Sequence, residues 1–160
     1  MTNPNPDLPK PRLLDPRAVR FGAGASVVVL ALAFLVNAPI VVAAIWLGLG
    51  ASALFGTQFW PLSRPWPFVR RALRLAPPKE LEAEYPPRFA QALGAIVLSL
   101  TLILFVLGAT PFAWLAVAIV GALQALLALT GYCLGCRLYF LRWWVPSVFD
   151  RVIRRASVAS

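Results

Sequence analysis

The chain contains no histidine and only six carboxylates among its 160 residues. General acid–base catalysis and most metal sites draw on those side chains, so hydrolytic, phosphoryl-transfer and metalloenzyme schemes lack their usual groups. Charge is missing from two long stretches, Phe21 to Ser63 and Phe89 to Cys136. An ion pump or proton-coupled transporter would place an ionisable group at that depth, and apart from a cysteine pair at one end there is none. Cysteine occurs only at Cys133 and Cys136.

What is present is apolar: 60% of the residues are hydrophobic and the mean hydropathy is +0.76. A soluble core of this size cannot hide so much. One crossing takes ~20 apolar residues, so each uncharged stretch is about twice the length of a span and reads as a helical hairpin. "VNAPI", with Asn37 and Pro39, and "LGATPF", with Gly108, Thr110 and Pro111, supply the reversals, since proline opens a helix well. The expected fold is an all-α membrane protein with four transmembrane helices at 21–36, 39–55, 89–107 and 111–130, as two tandem hairpins. A polar leader (1–20) precedes the membrane domain (21–145), a linker (57–88) joins its halves, and an amphipathic tail (146–160) follows. The first span is expected to stay in place rather than be cleaved as a signal peptide, because its leader is long and proline-rich and the apolar run is too long.

Charged residues fall in three blocks, 7–20, 64–88 and 137–155, and a two-hairpin arrangement puts all three on one side. The positive-inside rule makes that side cytoplasmic, with both termini there. The net charge of +9 then faces anionic lipid headgroups rather than nucleic acid.

The halves resemble each other. "DPRAVRFGAGASVVVLALAFLV" and "YPPRFAQALGAIVLSLTLILFVL" both bring proline, arginine and phenylalanine to the start of a span, and each hairpin precedes an aromatic, basic segment. Trp60, Trp66, Tyr85, Tyr139, Trp143 and Trp144 are expected as interfacial anchors, one ring edge in water. Residues 67–75 and 147–155 read as surface-lying amphipathic helices, the second opened by Ser147 with Asp150. "APPKELEAEYPP" (76–87) reads as a solvated, flexible connector. Within the spans, Gly48, Ser52 and Gly56 recur every fourth residue, and Gly121 and Gln124 share a small, weakly polar face. These read as helix packing surfaces, with Gln124 hydrogen-bonded between helices in preference to lining a substrate path.

"GYCLGCRLYF" places the two cysteines three apart, beside Arg137. If the fourth helix runs straight through, both sulfurs lie at its C-terminal end, where the dipole disfavours a thiolate. If Gly131 ends the span and a new helix starts near Cys133, free N–H groups and Arg137 favour it. The sequence leaves both geometries open. A cytoplasmic-face pair argues against a permanent structural disulfide and for a dithiol that cycles with a soluble partner. The plainer reading is a pair of small apolar residues. Two thiolates would also hold Cu(I), whereas zinc needs two further ligands from a second copy of the chain. No cofactor is expected.

"PPRFAQALG" at the start of the second hairpin and "GYCLGCRLY" at its exit resemble the small bacterial integral-membrane family termed domain of unknown function 4395, from about Asp15 to Leu141. The resemblance implies a bacterial cytoplasmic membrane. It carries no established activity, but it implies the company of thioredoxin-like and sulfurtransferase proteins. The leading expectation is therefore a thiol–disulfide or sulfane-sulfur relay. In it Cys133 attacks, Cys136 resolves and Arg137 steadies the thiolate. A membrane scaffold and a small sulfur-compound carrier, the latter a homo-oligomer, are the alternatives.

One-sided charge makes a direct prediction. In a chain whose native cysteines are replaced by serine, Asn37→Cys should react with a membrane-impermeant maleimide added outside spheroplasts, and Glu82→Cys should react only after lysis. Labelling of position 82 from outside would overturn the topology.

Overall fold

The computed structural model describes residues 13–78 and 80–139. Four long helices form a bundle: α1 (Pro16–Leu35), α2 (Pro39–Phe55), α4 (Tyr85–Val106) and α5 (Thr110–Thr130), with a short α3 (Trp66–Ala72) between the halves. Three of them, α1, α4 and α5, are long and apolar enough to cross a membrane, and α2 is a shorter apolar helix. Their outward-facing residues are apolar too, as at Ile40 (76% exposed) and Val106 (87%).

Proline sets the helix starts. Pro16, Pro39, Pro86 and Pro111 stand in first turns, where a missing N–H removes a donor that has no helical partner anyway. Asp15 caps α1 by accepting from the Arg17 backbone N–H at 2.9 Å. The turns between α1 and α2 and between α4 and α5 hold Asn37 and Gly108 at φ 49° and 76°, the two places where the sequence reads a reversal. Two of the helices begin before the uncharged stretches do: α1 starts at Pro16 and α4 at Tyr85, ahead of Phe21 and Phe89. In each case the proline opens the helix earlier than the last charge.

The main packing pairs join the halves: α1 lies along α5, and α2 along α4, with α4 also against α5. The α2–α4 pair is antiparallel, since Trp46 Nε1 donates to Ser99 Oγ (2.7 Å) at one level and Ser52 Oγ to Gln91 Oε1 (2.6 Å) at the next. The α1–α5 pair is antiparallel as well, because Trp114 Nε1 at the start of α5 donates to Asn37 Oδ1 beyond the end of α1 (3.0 Å). Buried Leu30, Val42, Ile45, Leu98, Val117 and Val120 form the core between them. Ser26 and Thr101 are buried with their hydroxyls bonded back to the carbonyls of Gly22 and Val97. Among the described residues no buried side-chain nitrogen or oxygen lacks a partner, which an apolar surround requires.

At the other end, two arginines tie the halves together. Arg20, in α1, donates to Ala128 O (3.2 Å from Nε and from Nη2) and to Leu129 O (2.9 Å) at the end of α5. Arg88, in α4, donates to Ala53 O (3.2 and 3.0 Å) and Leu54 O (2.8 Å) at the end of α2. Terminal carbonyls have no intrahelical donor and carry the negative end of the helix dipole, so a guanidinium fork satisfies both demands. Leu30 and Leu98 stand the same distance along their helices from these arginines, and both are buried.

The connector is not the free linker expected of 76–87. Its β2 (Glu82–Ala83) pairs antiparallel with β1 (Leu13–Leu14). Glu84 is buried, and its Oε1 accepts from Thr57 N (2.7 Å) and Thr57 Oγ1 (3.1 Å). A carboxylate can cap the turn after α2 in this way, and that cap holds the connector down. The leader before Leu13, Trp143, Trp144 and the 147–155 helix lie outside the described residues.

Removing a guanidinium should leave helix-end carbonyls unpaired. Arg88→Ala, at the less exposed of the two sites, should cost about 1.5–3 kcal/mol and Arg20→Ala less, read as the loss of midpoint stability in detergent denaturation. Arg88→Lys should recover only part, because an ammonium cannot span two carbonyls at once.

Candidate functional site

The site begins at Gly131. Its φ of 75° lies in the left-handed region that favours glycine, so α5 ends there, with Gly131 N bonded to Leu127 O at 2.9 Å. Thr130 Oγ1 then accepts from Tyr132 N (3.0 Å), and helical geometry resumes at 134–139. Of the two geometries left open by the sequence, the chain takes the broken one. Cys133 heads the new segment: its carbonyl accepts from Arg137 N (3.1 Å), and its sulfur accepts from Cys136 N (3.2 Å).

The two sulfurs are joined as a disulfide. The sequence argued against a lasting bridge on the ground of compartment, and the structure holds the oxidised pair. Local geometry accounts for the closure, since the opening turn of a helix brings the two Cα atoms to 5.1 Å, inside the range a bridge needs. Both cysteines are half-buried. Arg137 is exposed, and its guanidinium lies over the Tyr132 ring at 5.4 Å from the centroid.

The segment is held against α4 by a close approach. A Cβ on Gly135 would stand 2.7 Å from Ala90 Cβ and 2.9 Å from its Cα. Only glycine lets the backbone after Cys133 lie this near the helix. In the first half the corresponding contact uses a large residue instead, with Trp60 filling the space over Gly22 and Gly48.

Between the halves lies a cavity of about 390 Å³, and Cys133 is part of its wall. All four long helices contribute to it, mostly with apolar side chains such as Leu49 and Val97. Its polar groups are few: Asp15, Thr57, Gln58, Ser63, Gln91 and Gln124. Asp15 is already committed, accepting from Trp66 Nε1 at 2.9 Å and lying 4.0 Å from Arg70. Gln91 is oriented by Ser52.

The other sequence-derived residues divide. Trp60 is corrected from interfacial anchor to core residue, being only 4% exposed, because glycines in α1 and α2 make room for its ring. Trp66 is half-buried, its ring 5.6 Å from Phe21 and its N–H on Asp15. Gly48 and Ser52 do serve contacts, with Trp60 and with Gln91. Gly56, at φ 117°, terminates α2, and a Cβ there would stand 2.9 Å from Glu84 Oε1. Gly121 meets nothing close, since a Cβ there would find no atom within 4 Å. Gln124 makes no interhelical hydrogen bond among the described residues and faces the cavity instead. Sequence reasoning missed Glu84 and Gln58. The position of Glu84, last of three connector carboxylates and two residues before a Pro-Pro pair, was the available signal for it; nothing marked Gln58. Among the described residues no three His, Cys, Asp or Glu side chains cluster.

The family model described as domain of unknown function (DUF4395) matches residues 14–143, and the chain belongs to that family. No curated protein and no solved structure matches the chain.

If Gly135 holds the cysteine segment in place, Gly135→Leu should push it off α4. Once reduced, Cys133 should then alkylate several-fold faster in the variant, while α1 to α5 keep the helical circular dichroism of the parent. Unchanged alkylation would show that the approach to Ala90 does not position the sulfur.

Proposed function

We propose, for this member of a family of unknown function, a membrane-embedded thiol–disulfide relay whose Cys133–Cys136 pair exchanges electrons with a soluble thioredoxin-like or sulfurtransferase protein. The observation that carries the proposal is the place of the pair. It sits at the end of the bundle that gathers Arg20, Arg88 and the basic α3, with Cys133 in the wall of a cavity between the helices. In this reading α2 is the fourth span, beside α4, its 17 residues rising roughly 26 Å. The arginine end is cytoplasmic, in a bacterial inner membrane. Two tandem hairpins follow.

The exchange is reversible. From the dithiol, the Cys133 thiolate attacks a sulfur of the partner's disulfide and expels one partner thiolate. Cys136 then attacks the Cys133 sulfur of the mixed disulfide, expels the second partner thiolate and closes the bridge, so two electrons pass to the partner. In reverse, a partner thiolate opens the bridge at Cys133. The Cys136 N–H that reaches the Cys133 sulfur at 3.2 Å would stabilise a thiolate there. Arg137, one turn away and stacked on Tyr132, adds positive charge nearby. A sulfurtransferase persulfide would be attacked at its outer sulfur by the same thiolate, expelling the sulfurtransferase thiolate and leaving a persulfide on Cys133, from which Cys136 expels sulfide as the bridge closes.

Alkylation-shift gels test the relay. Two thiols should appear together in the purified protein on addition of reduced thioredoxin and vanish together with its oxidised form. Cys136→Ser should trap a mixed disulfide through Cys133, and Cys133→Ser should trap none. A bridge that resists thioredoxin and every cellular dithiol would leave a structural role, and the chain would then be a scaffold.

A further inference from the structure

We infer that the cavity between the halves is a site for a lipid-soluble quinone, which takes the electron pair delivered to Cys133 and Cys136. The inference rests on the relay reading in so far as the pair must cycle, and it supplies what that reading lacks, a second redox partner on the membrane side.

Four observations point the same way. Cys133 is in the cavity wall and only half-buried, so a molecule inside the bundle lies beside the cysteine pair. The walls are apolar, and three of the helices forming them are long and apolar enough to lie in a bilayer, from which a hydrophobic carrier reaches them without crossing water. The volume of about 390 Å³ falls in the range of small-molecule sites, ~300–1,000 Å³. The polar groups are of the type a quinone needs. Gln124 has no hydrogen-bond partner among the described residues, and Gln91 has its oxygen held by Ser52 at 2.6 Å, which leaves its amide N–H groups to donate. Two amide donors without a charge suit a neutral ring with carbonyl oxygens at opposite ends. A lipid acyl chain would fill the same walls, but it would leave both amides unanswered.

The chemistry balances without a metal or a further co-reactant. The Cys133 and Cys136 thiols together give up two electrons and two protons as the S–S bond forms. The quinone accepts both and becomes the hydroquinone, its two carbonyl oxygens now hydroxyls. Electrons thus run from a soluble dithiol, through the cysteine bridge, to the quinone pool, as quinone-coupled disulfide formation does elsewhere.

The test uses the full-length protein in detergent, reduced with a phosphine that is then removed, under anaerobic conditions. The probe is decylubiquinone, whose ring positions are fully substituted so that thiols cannot add to it. One hydroquinone should form per protein as both thiols disappear, and Cys133→Ser or Cys136→Ser should abolish the reaction. Gln124→Leu should slow it about two- to tenfold, the loss of one hydrogen bond, while oxidation by diamide stays at the parent rate. Gly94→Leu, which projects into the cavity from α4 beside Leu49, should slow it likewise. The site is overturned if the thiols persist in decylubiquinone, or if both cavity variants react at the parent rate, in which case the cavity holds lipid alone. Thioredoxin serves as the separate arm: exchange with thioredoxin but not with quinone removes the quinone site and keeps the relay, and quinone reduction without thioredoxin exchange does the reverse.

Discussion

The bundle depends on two guanidinium groups, each reaching from near the start of a helix in one half to the last carbonyls of a helix in the other. An apolar helix can satisfy every backbone group except those at its ends. In a chain with few polar side chains, those ends are the main source of unpaired carbonyls. Arg20 and Arg88 answer them in the same way, at Ala128 with Leu129 and at Ala53 with Leu54. That shared solution fixes the pairing of α1 with α5 and of α2 with α4, and with it the width of the space between the halves.

The same end carries the Cys133–Cys136 bridge, and the two halves differ there in one consequential respect. After α2, Trp60 folds back and fills the bundle over Gly22 and Gly48. After α5, the equivalent region offers Gly135, which lies flat on Ala90 and fills nothing. The large ring of Trp60 and the bare backbone of Gly135 both border the cavity, as does Cys133. Unequal side chains at the two helix ends thus go with an open space at this end of the bundle.

Much of the architecture was legible in the sequence because it rests on long, uniform signals. Two uncharged runs, interrupted at Asn37 and at Gly108, were enough to place four helices, and α2 falls on the residues expected of it. Contacts between distant segments were not legible. The acidic connector looked free because its composition is that of a linker, yet one buried carboxylate, Glu84, and a two-residue pairing with Leu13 and Leu14 hold it in place. Trp60 looked like an interfacial ring because tryptophan beside a basic segment usually is one; the glycines that receive it lie on other helices. For Gln124, helical spacing could show which face it occupies, but not that this face borders a cavity. The break at Gly131 was visible as an option and decided only by the backbone angle.

The exchange of arginines has a consequence for how the chain is divided. Residues up to α3 form a unit that owns a guanidinium with no carbonyls of its own to bind and a helix terminus with no guanidinium of its own to bind it, and the remainder is in the same position. Each half is the complement of the other as a plug is of a socket, twice over and in opposite senses. What is one polypeptide by covalent connection is, by its bonding, a dimer whose subunits happen to share a backbone.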